Sequence, residues 1–221
     1  MKHVYIVNGG GAYEGLFNRI GYYTTRKIEE ADLVVFTGGE DVSPDLYGAR
    51  KHSTTFNNEA RDRYEADVFS IALKLEIPMV GICRGGQFLN VMSGGEMYQD
   101  VSYHCGDHEI TDLTTGEVVN VSSTHHQMMK PSPEGVLVAS AGLRGERVWW
   151  DHTVFNRDTS QEDVEVVWYK DTKCLCFQPH PEFVGVAYVG MFEYFKSLLE
   201  RYFDHSFKAT TAAKVPMCEC C

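Results

Sequence analysis

The chain has 221 residues, 43% of them hydrophobic and 23% charged, enough apolar material for one good-sized globular domain. Lys and Arg total 20 against 31 Asp and Glu, a formal net charge of -11, which removes the electrostatic footprint expected for nucleic acid or an anionic membrane. No apolar run approaches the roughly 20 residues of a membrane span, and Met1 to Val7 lacks the features of a signal peptide; a cytoplasmic protein is expected.

A first strand is predicted over His3–Val7, running into Asn8-Gly9-Gly10-Gly11. Gly9 and Gly11 match the start of G-x-G-x-x-G, but position 14 is Glu, so the glycines read as a flexible turn rather than a phosphate cradle. Leu33–Phe36 has the length and composition of a buried strand and closes on Thr37-Gly38-Gly39. After a polar loop, Glu59 to Leu75 reads as a helix with an apolar stripe of Tyr64, Val68, Ile71, Ala72 and Leu75. Met79–Ile82 is a second buried strand, followed by a helix from Arg84 that Gly94-Gly95 terminates.

The second half is richer in strands: Val118–Val121, Val136–Ala139 and Val164–Tyr169, the last pairing with Cys174–Phe177 across Asp171-Thr172-Lys173. A closing helix, about Val186 to Phe203, carries Val189, Phe192, Phe195, Leu199 and Tyr202 on one face. The alternation of strands and helices followed by strands predicts an open α/β sheet with an antiparallel extension. One domain is expected over 1–207, with 208–221 a flexible tail. The seven cysteines form no even framework of the secreted kind, and Cys218, Cys220 and Cys221 read as a solvated terminus rather than a metal site.

Two segments carry chemistry. Gly81-Ile82-Cys83-Arg84-Gly85 places a cysteine where a buried strand meets a helix, on a turn whose flanking glycines let backbone pass closely. There the thiol faces the positive end of the helix, and the next backbone N–H points toward a developing oxyanion. Phe177-Gln178-Pro179-His180-Pro181-Glu182 offers a base and a carboxylate two residues apart, whose side chains lean to one side in an extended segment. Cys83, His180 and Glu182 are therefore a candidate triad.

With these residues the chain resembles class I (triad-type) glutamine amidotransferase domains, and within them the γ-glutamyl hydrolase and γ-glutamyl-GABA hydrolase branch. Five blocks in order carry the resemblance: the loop from Thr37 to Gly48, Arg61-Asp62-Arg63-Tyr64-Glu65, Gly81 to Gln87 continued by Asn90-Val91, Val119 to Gln127 with its His125-His126-Gln127, and His180-Pro181-Glu182. Pro179 departs from the pattern, standing where relatives carry an aromatic residue. The resemblance implies a flavodoxin-like three-layer αβα sandwich with a mostly parallel central sheet and an antiparallel extension. It implies a hydrolase that cleaves a γ-glutamyl amide through a thioester on Cys83, with His180 as acid–base and Glu182 orienting it. Gly39 and Arg84 would supply oxyanion-hole N–H groups, and Gly38, Gln87, His125, His126 and Gln127 would contact the substrate. No cofactor or metal is implied. The partner is a small γ-glutamyl substrate, or a separate synthetase that receives ammonia; a catalytically silent binding module of the same fold is the third reading.

Two further clusters read as non-catalytic. Adjacent His125 and His126 point apart and have no acidic or cysteine partner at ligand spacing in the sequence, so loop or substrate contact is expected. Around His104 and His108, Cys105 to Asp107 reads as a solvated polar turn. Trp149-Trp150 reads as packing.

Overall fold

A computed structural model of the chain describes residues 1–142, 145–159 and 162–203. The tail expected from 208, with Cys218, Cys220 and Cys221, lies outside the described residues. In chain order the elements are β1 (Lys2–Val7), α1 (Gly11–Ile20), β2 (Tyr22–Thr25), β3 (Leu33–Phe36), α2 (Glu59–Lys74), β4 (Met79–Ile82), α3 (Arg84–Met92), β5 (Glu96–Tyr98) and β6 (Asp100–Val101). They continue with β7 (His108–Asp112), β8 (Val118–Val121), β9 (Met128–Lys130), β10 (Gly135–Ala141), β11 (Arg147–Trp150), β12 (Phe155–Asp158), β13 (Asp163–Tyr169), β14 (Cys174–Phe177) and α4 (Val189–Phe203).

Nine strands form one sheet in the order β2-β1-β3-β4-β14-β13-β10-β7-β8. From β2 to β14 neighbours are parallel; β14 to β8 is the antiparallel extension. The strands of the parallel half are apolar throughout because both faces are covered. Successive side chains point to opposite faces, so Val35, Val80, Ile82 and Leu175 pack under α1 and α4, while Val34, Phe36, Met79, Cys174 and Cys176 pack under α2 and α3. This is the flavodoxin-like three-layer sandwich. Among the described residues, no helix is long and apolar enough to cross a membrane.

The β13–β14 hairpin has the expected register, Val166 opposite Phe177 and Tyr169 opposite Cys174. Three expectations are corrected. The glycines after β1 are not merely a turn: Gly10 caps α1, and a Cβ on Gly9 would lie 2.4 Å from Ile6 Cγ2, so close packing of the chain requires glycine there. On α2 the buried residues are Asp62, Glu65, Val68, Phe69 and Ala72, while Tyr64, Ile71 and Leu75 are exposed. The inward face of its first turns is ionic, which rotates the buried stripe away from the one that hydropathy marks. On α4 the buried set is Met191, Tyr194, Phe195, Leu198 and Leu199, with Val189 exposed. The segment Val186–Tyr188 is a separate 3-10 turn, so the helix begins later than its apolar residues indicate.

Gly85 shows how tightly the β4–α3 junction is packed: a Cβ there would lie 2.1 Å from the Phe36 carbonyl oxygen. Gly85→Ala is therefore expected to destabilise the chain by about 1–3 kcal/mol or more. Gly15→Ala, in the exposed middle of α1 with nothing within 4 Å, is expected to stabilise it by about 0.5–1 kcal/mol. Urea unfolding of the two variants checks the opposite signs.

Candidate active site

The candidate residues converge because three neighbouring parallel strands end at one edge. Phe36 of β3 lies opposite Gly81 of β4, and Phe177 of β14 opposite Ile82 of β4. The residues just past these ends are therefore side by side: Gly38-Gly39 after β3, Cys83 after β4 and His180 after β14. Crevices at the carboxyl ends of an open α/β sheet are its usual ligand sites.

Cys83 is the one-residue joint between β4 and α3. Its φ of 52° and ψ of -115° lie outside the regions an L-residue prefers, a conformation that costs of order 1–3 kcal/mol and persists where the surroundings over-determine it. Its N–H donates to the Phe177 carbonyl at 2.8 Å and its carbonyl accepts from Gln87 N at 3.1 Å, which pins the joint on both sides. Arg84, next in sequence, is the first residue of α3, whose N–H has no partner within the helix.

His180 Nδ1 is 2.7 Å from Glu182 Oε1, and its backbone N–H donates to Ser122 Oγ at 2.9 Å. Its ring stacks on Phe183 with centroids 4.9 Å apart. Burial would lower the imidazole's pKa, but hydrogen bonds to the Cys83 sulfur and the Glu182 carboxylate outweigh it and push the group up to about 10. The arrangement favours an imidazolium held between sulfur and carboxylate. On the other side of the sulfur, Gln178 Nε2 lies 3.7 Å from Cys83 Sγ, and Gln178 Oε1 accepts from Gln87 Nε2 at 3.2 Å.

Opposite the candidate triad, Gly38 is so close that a Cβ would meet Tyr13 Oη at 3.1 Å and His180 Cε1 at 3.2 Å. Its N–H donates to the Tyr13 hydroxyl at 3.0 Å, which occupies that donor and leaves the next one, Gly39, as the candidate for an oxyanion. Gly39 has φ of 149°, and a Cβ there would sit 1.9 Å from Arg61 Nη1, so only glycine fits. Burial raises the Tyr13 hydroxyl's pKa, and the Glu182 carboxylate adds to it; the phenol stays protonated.

Behind the two loops stands a buried ionic network. The Arg84 guanidinium, 2% exposed, pairs with both Asp62 and Glu65 of α2. Arg61 donates from Nε to Glu65 Oε1 at 2.8 Å, from Nη1 to Glu40 Oε2 at 3.1 Å, and from Nη2 to the Thr37 and Gly38 carbonyls, both at 3.0 Å. One cation thus anchors the Cys83 turn, the other the glycine loop, and Glu65 joins them.

The remaining expected substrate residues are placed as follows. Gln87 and Gln127 are buried, with Gln87 Nε2 donating to the Gln127 carbonyl at 3.0 Å. His125 is buried with Nδ1 against that same carbonyl at 2.8 Å. Burial, then the neighbouring His104, holds its imidazole well below the usual range. His126 is half-exposed beside Asp41 at 3.1 Å, an interaction that raises it. Of the His125-His126-Gln127 segment, only His126 therefore presents a side chain to solvent. The solvated turn holds for Cys105 to Asp107, but His104 is corrected: it is buried, 2.9 Å from Asp163. Trp149 and Trp150 pack on Tyr98 and Phe155. A cavity of about 420 Å³ between Ser93 and Thr172 opens at the other end of β14 and contains none of the candidate residues.

Sequence reasoning did not single out Tyr13, Ser122 or the side chains of Arg61, Asp62, Glu65 and Arg84. The signal available for the last four was that an arginine beginning a buried helix demands carboxylates nearby; Tyr13 had none.

The sequence profile of the Peptidase C26 family matches residues 21–182. The chain belongs to that family. It is 30% identical over 172 residues to the glutamine amidotransferase-like protein YvdE of Lactococcus lactis subsp. lactis, a match covering 68% of this chain and 66% of the relative. It is 28% identical over 144 residues to the carbamoyl phosphate synthase small chain of Photorhabdus laumondii, covering 63% of this chain and 33% of that one. Among solved structures, a glutamine amidotransferase from Thermotoga maritima superposes with a TM-score of 0.59 at 18% identity, over 90% of this chain and 84% of that chain. The chain is thus a class I glutamine amidotransferase-like protein of the C26 family.

Removing one partner of the buried network leaves a charge unpaired. Glu65→Ala is expected to cost about 3–5 kcal/mol in urea unfolding, whereas Arg63→Ala, which breaks an exposed 3.5 Å pair with Glu59, should cost under about 0.5 kcal/mol.

Proposed function

We propose that this family member is a cysteine hydrolase of γ-glutamyl amides: glutamine or a γ-glutamyl conjugate. The observation that carries the reading is His180 bridging the Cys83 sulfur and Glu182 beside a loop in which Tyr13 takes the Gly38 N–H and the next donor is that of Gly39. Cys83 attacks the γ-carbonyl; the oxyanion is met by the N–H groups of Arg84 and Gly39, each such donor worth about 3–4 kcal/mol of barrier. His180 gives its proton to the departing amine, a thioester forms on Cys83, and water activated by the then neutral His180 releases glutamate. Glu182 keeps the Nδ1 proton in place, so that Nε2 does the transfers. Gln87 acts from behind through Gln178, and His126 and Gly38 border the substrate.

A second reading is a subunit that passes ammonia to a synthetase. It draws on the likeness to a carbamoyl phosphate synthase small chain and on the exposed apolar residues Val184, Val186 and Val189 just past the triad loop. Ammonia and glutamate release from glutamine, γ-glutamyl amines and γ-linked peptides separates the readings. Turnover of a conjugate faster than of glutamine supports the hydrolase; weak turnover of glutamine alone favours the subunit; none supports a silent module. Cys83→Ala is expected to lower turnover at least about 10 000-fold with unchanged circular dichroism.

The pH dependence follows from His180. Its pKa, about 6.5 when unfolded, is about 10 in the fold. The folded state therefore gains stability from protonated His180 that is fully present below 6.5 and lost as pH rises through 10, where the general acid is lost as well. In Glu182→Gln the alkaline limb of kcat/KM is expected to move toward neutral pH and kcat to fall; an unmoved limb would show that the carboxylate does not hold the proton.

A further inference from the structure

A second buried cluster lies outside the triad. His104, from the segment before β7, His125, from the segment between β8 and β9, and Glu165, on β13, bring one ligand atom each to within 4.8 Å of one another. All three residues are at least nine-tenths buried. The cluster has an excess of acceptors. His104 Nε2 lies 2.9 Å from Asp163 Oδ2, and that carboxylate also accepts from Gly145 N at 2.7 Å and from Arg147 at 2.6 Å, so the ring donates from Nε2 and its Nδ1 carries a lone pair. His125 Nδ1 faces the Gln127 carbonyl at 2.8 Å, so it donates there and Nε2 carries the lone pair.

These two lone pairs point to a carboxylate. Glu165 Oε1 is 3.5 Å from His104 Nδ1 and 3.9 Å from His125 Nε2. His104 Nδ1, His125 Nε2 and Glu165 Oε2 are each buried without a hydrogen-bond partner. Among the described residues, no Lys or Arg pairs with Glu165, and His108, 3.1 Å from Oε1, is its nearest donor. A water has two protons and satisfies at most two of three converging acceptors. A divalent cation satisfies all three and neutralises the buried carboxylate.

We propose that His104 Nδ1, His125 Nε2 and Glu165 form a site for a divalent first-row transition cation, with zinc the ion that suits the ligand set. Two imidazoles and a carboxylate are a recurring zinc donor set. Tetrahedral bonds of roughly 2.0–2.1 Å put ligand atoms about 3.3–3.4 Å apart, close to the 3.5 and 3.9 Å that separate Glu165 Oε1 from the two imidazole nitrogens. The outer contacts are those such ligands need. Asp163 orients His104, the Gln127 carbonyl orients His125, and His108 holds Oε1. The ion ties β13 to two loops, of which the one with His125 also carries Ser122, whose hydroxyl receives the His180 N–H, and Ser123, which donates to the His104 carbonyl of the other at 2.7 Å. Its role is to brace the base-bearing loop, and it stands whether or not the hydrolase reading does. Sequence spacing concealed it, because neighbouring His125 and His126 diverge and the partners of His125 lie 21 residues before and 40 after.

The test uses the full chain without a polyhistidine tag, with Cys218, Cys220 and Cys221 changed to serine to remove competing thiolates. After incubation with Zn²⁺ and desalting, elemental analysis is expected to find about one equivalent per chain, and Zn²⁺ to raise Tm of the chelator-treated protein. Co²⁺ is expected to give visible d–d bands without a thiolate charge-transfer band, and Cys83→Ala to change neither readout. Glu165→Gln and His125→Ala are expected to weaken Zn²⁺ binding more than tenfold. Substoichiometric Zn²⁺ with no shift in Tm overturns the proposal, as does full occupancy in both variants or a cobalt spectrum with thiolate character. If a variant does not fold, the stoichiometry and cobalt spectrum of the parent chain decide.

Discussion

The placement of the candidate catalytic groups rests on one ionic network, Arg84 and Arg61 held by the buried Asp62 and Glu65 and, at its exposed end, by Glu40. A buried guanidinium is costly unless fully paired, and here the pairing partners lie on a different element, the first turns of α2. Because Arg84 is covalently next to Cys83, fixing its side chain fixes the Cys83 turn. Because Arg61 donates to the Thr37 and Gly38 carbonyls, the same helix fixes the glycine loop. Glu65, which accepts from both arginines and from Asn8 at 2.9 Å, couples the ends of β1, β3 and β4 into one rigid edge.

That rigidity explains how a strained residue persists. Cys83 keeps a positive φ because its N–H and carbonyl are both bonded, Gly81 and Gly85 admit the crossing backbone, and Arg84 cannot withdraw. A Cβ on Gly81 would lie 2.2 Å from the Gly85 carbonyl oxygen. Strain at the sulfur is held by packing elsewhere, which is the pattern of a preorganised site. Across the cleft His180 is held in a different way, by Glu182, the Ser122 hydroxyl and the Phe183 ring. The antiparallel half of the sheet therefore takes part in the site through Ser122, just after β8, which receives the His180 N–H, and through the Glu165 carbonyl on β13, which receives the Gln178 N–H.

Much of the parallel half was legible in the chain. Leu33–Phe36, Met79–Ile82 and Cys174–Phe177 are strands at the expected bounds, since fully buried strands announce themselves as short β-branched or apolar runs between turn residues; in the antiparallel half Val118–Val121, buried on one face, also has its expected bounds. The helix faces were less legible. On α2 the side chains that turn inward are Asp62 and Glu65, which hydropathy assigns to solvent. The short strands β5, β6, β9, β11 and β12 carry too few residues for a period-2 pattern, and their pairing depends on contacts far away in sequence.

The sequence by itself determined the chemistry on offer: a cysteine on a glycine-flanked strand–helix joint, a His-Pro-Glu segment beyond a strand, and glycine at 38 and 39. Local spacing suffices for these because each is a property of a few consecutive residues. Tertiary structure alone decided which of them meet. Parallel pairing of β3, β4 and β14 aligned three strand ends, the charge demand of Arg84 recruited α2, and folding turned His104, His125 and Glu165 from three unrelated positions toward one point. Those are long-range constraints, set by register and by the cost of burying charge, and no window along the chain contains them.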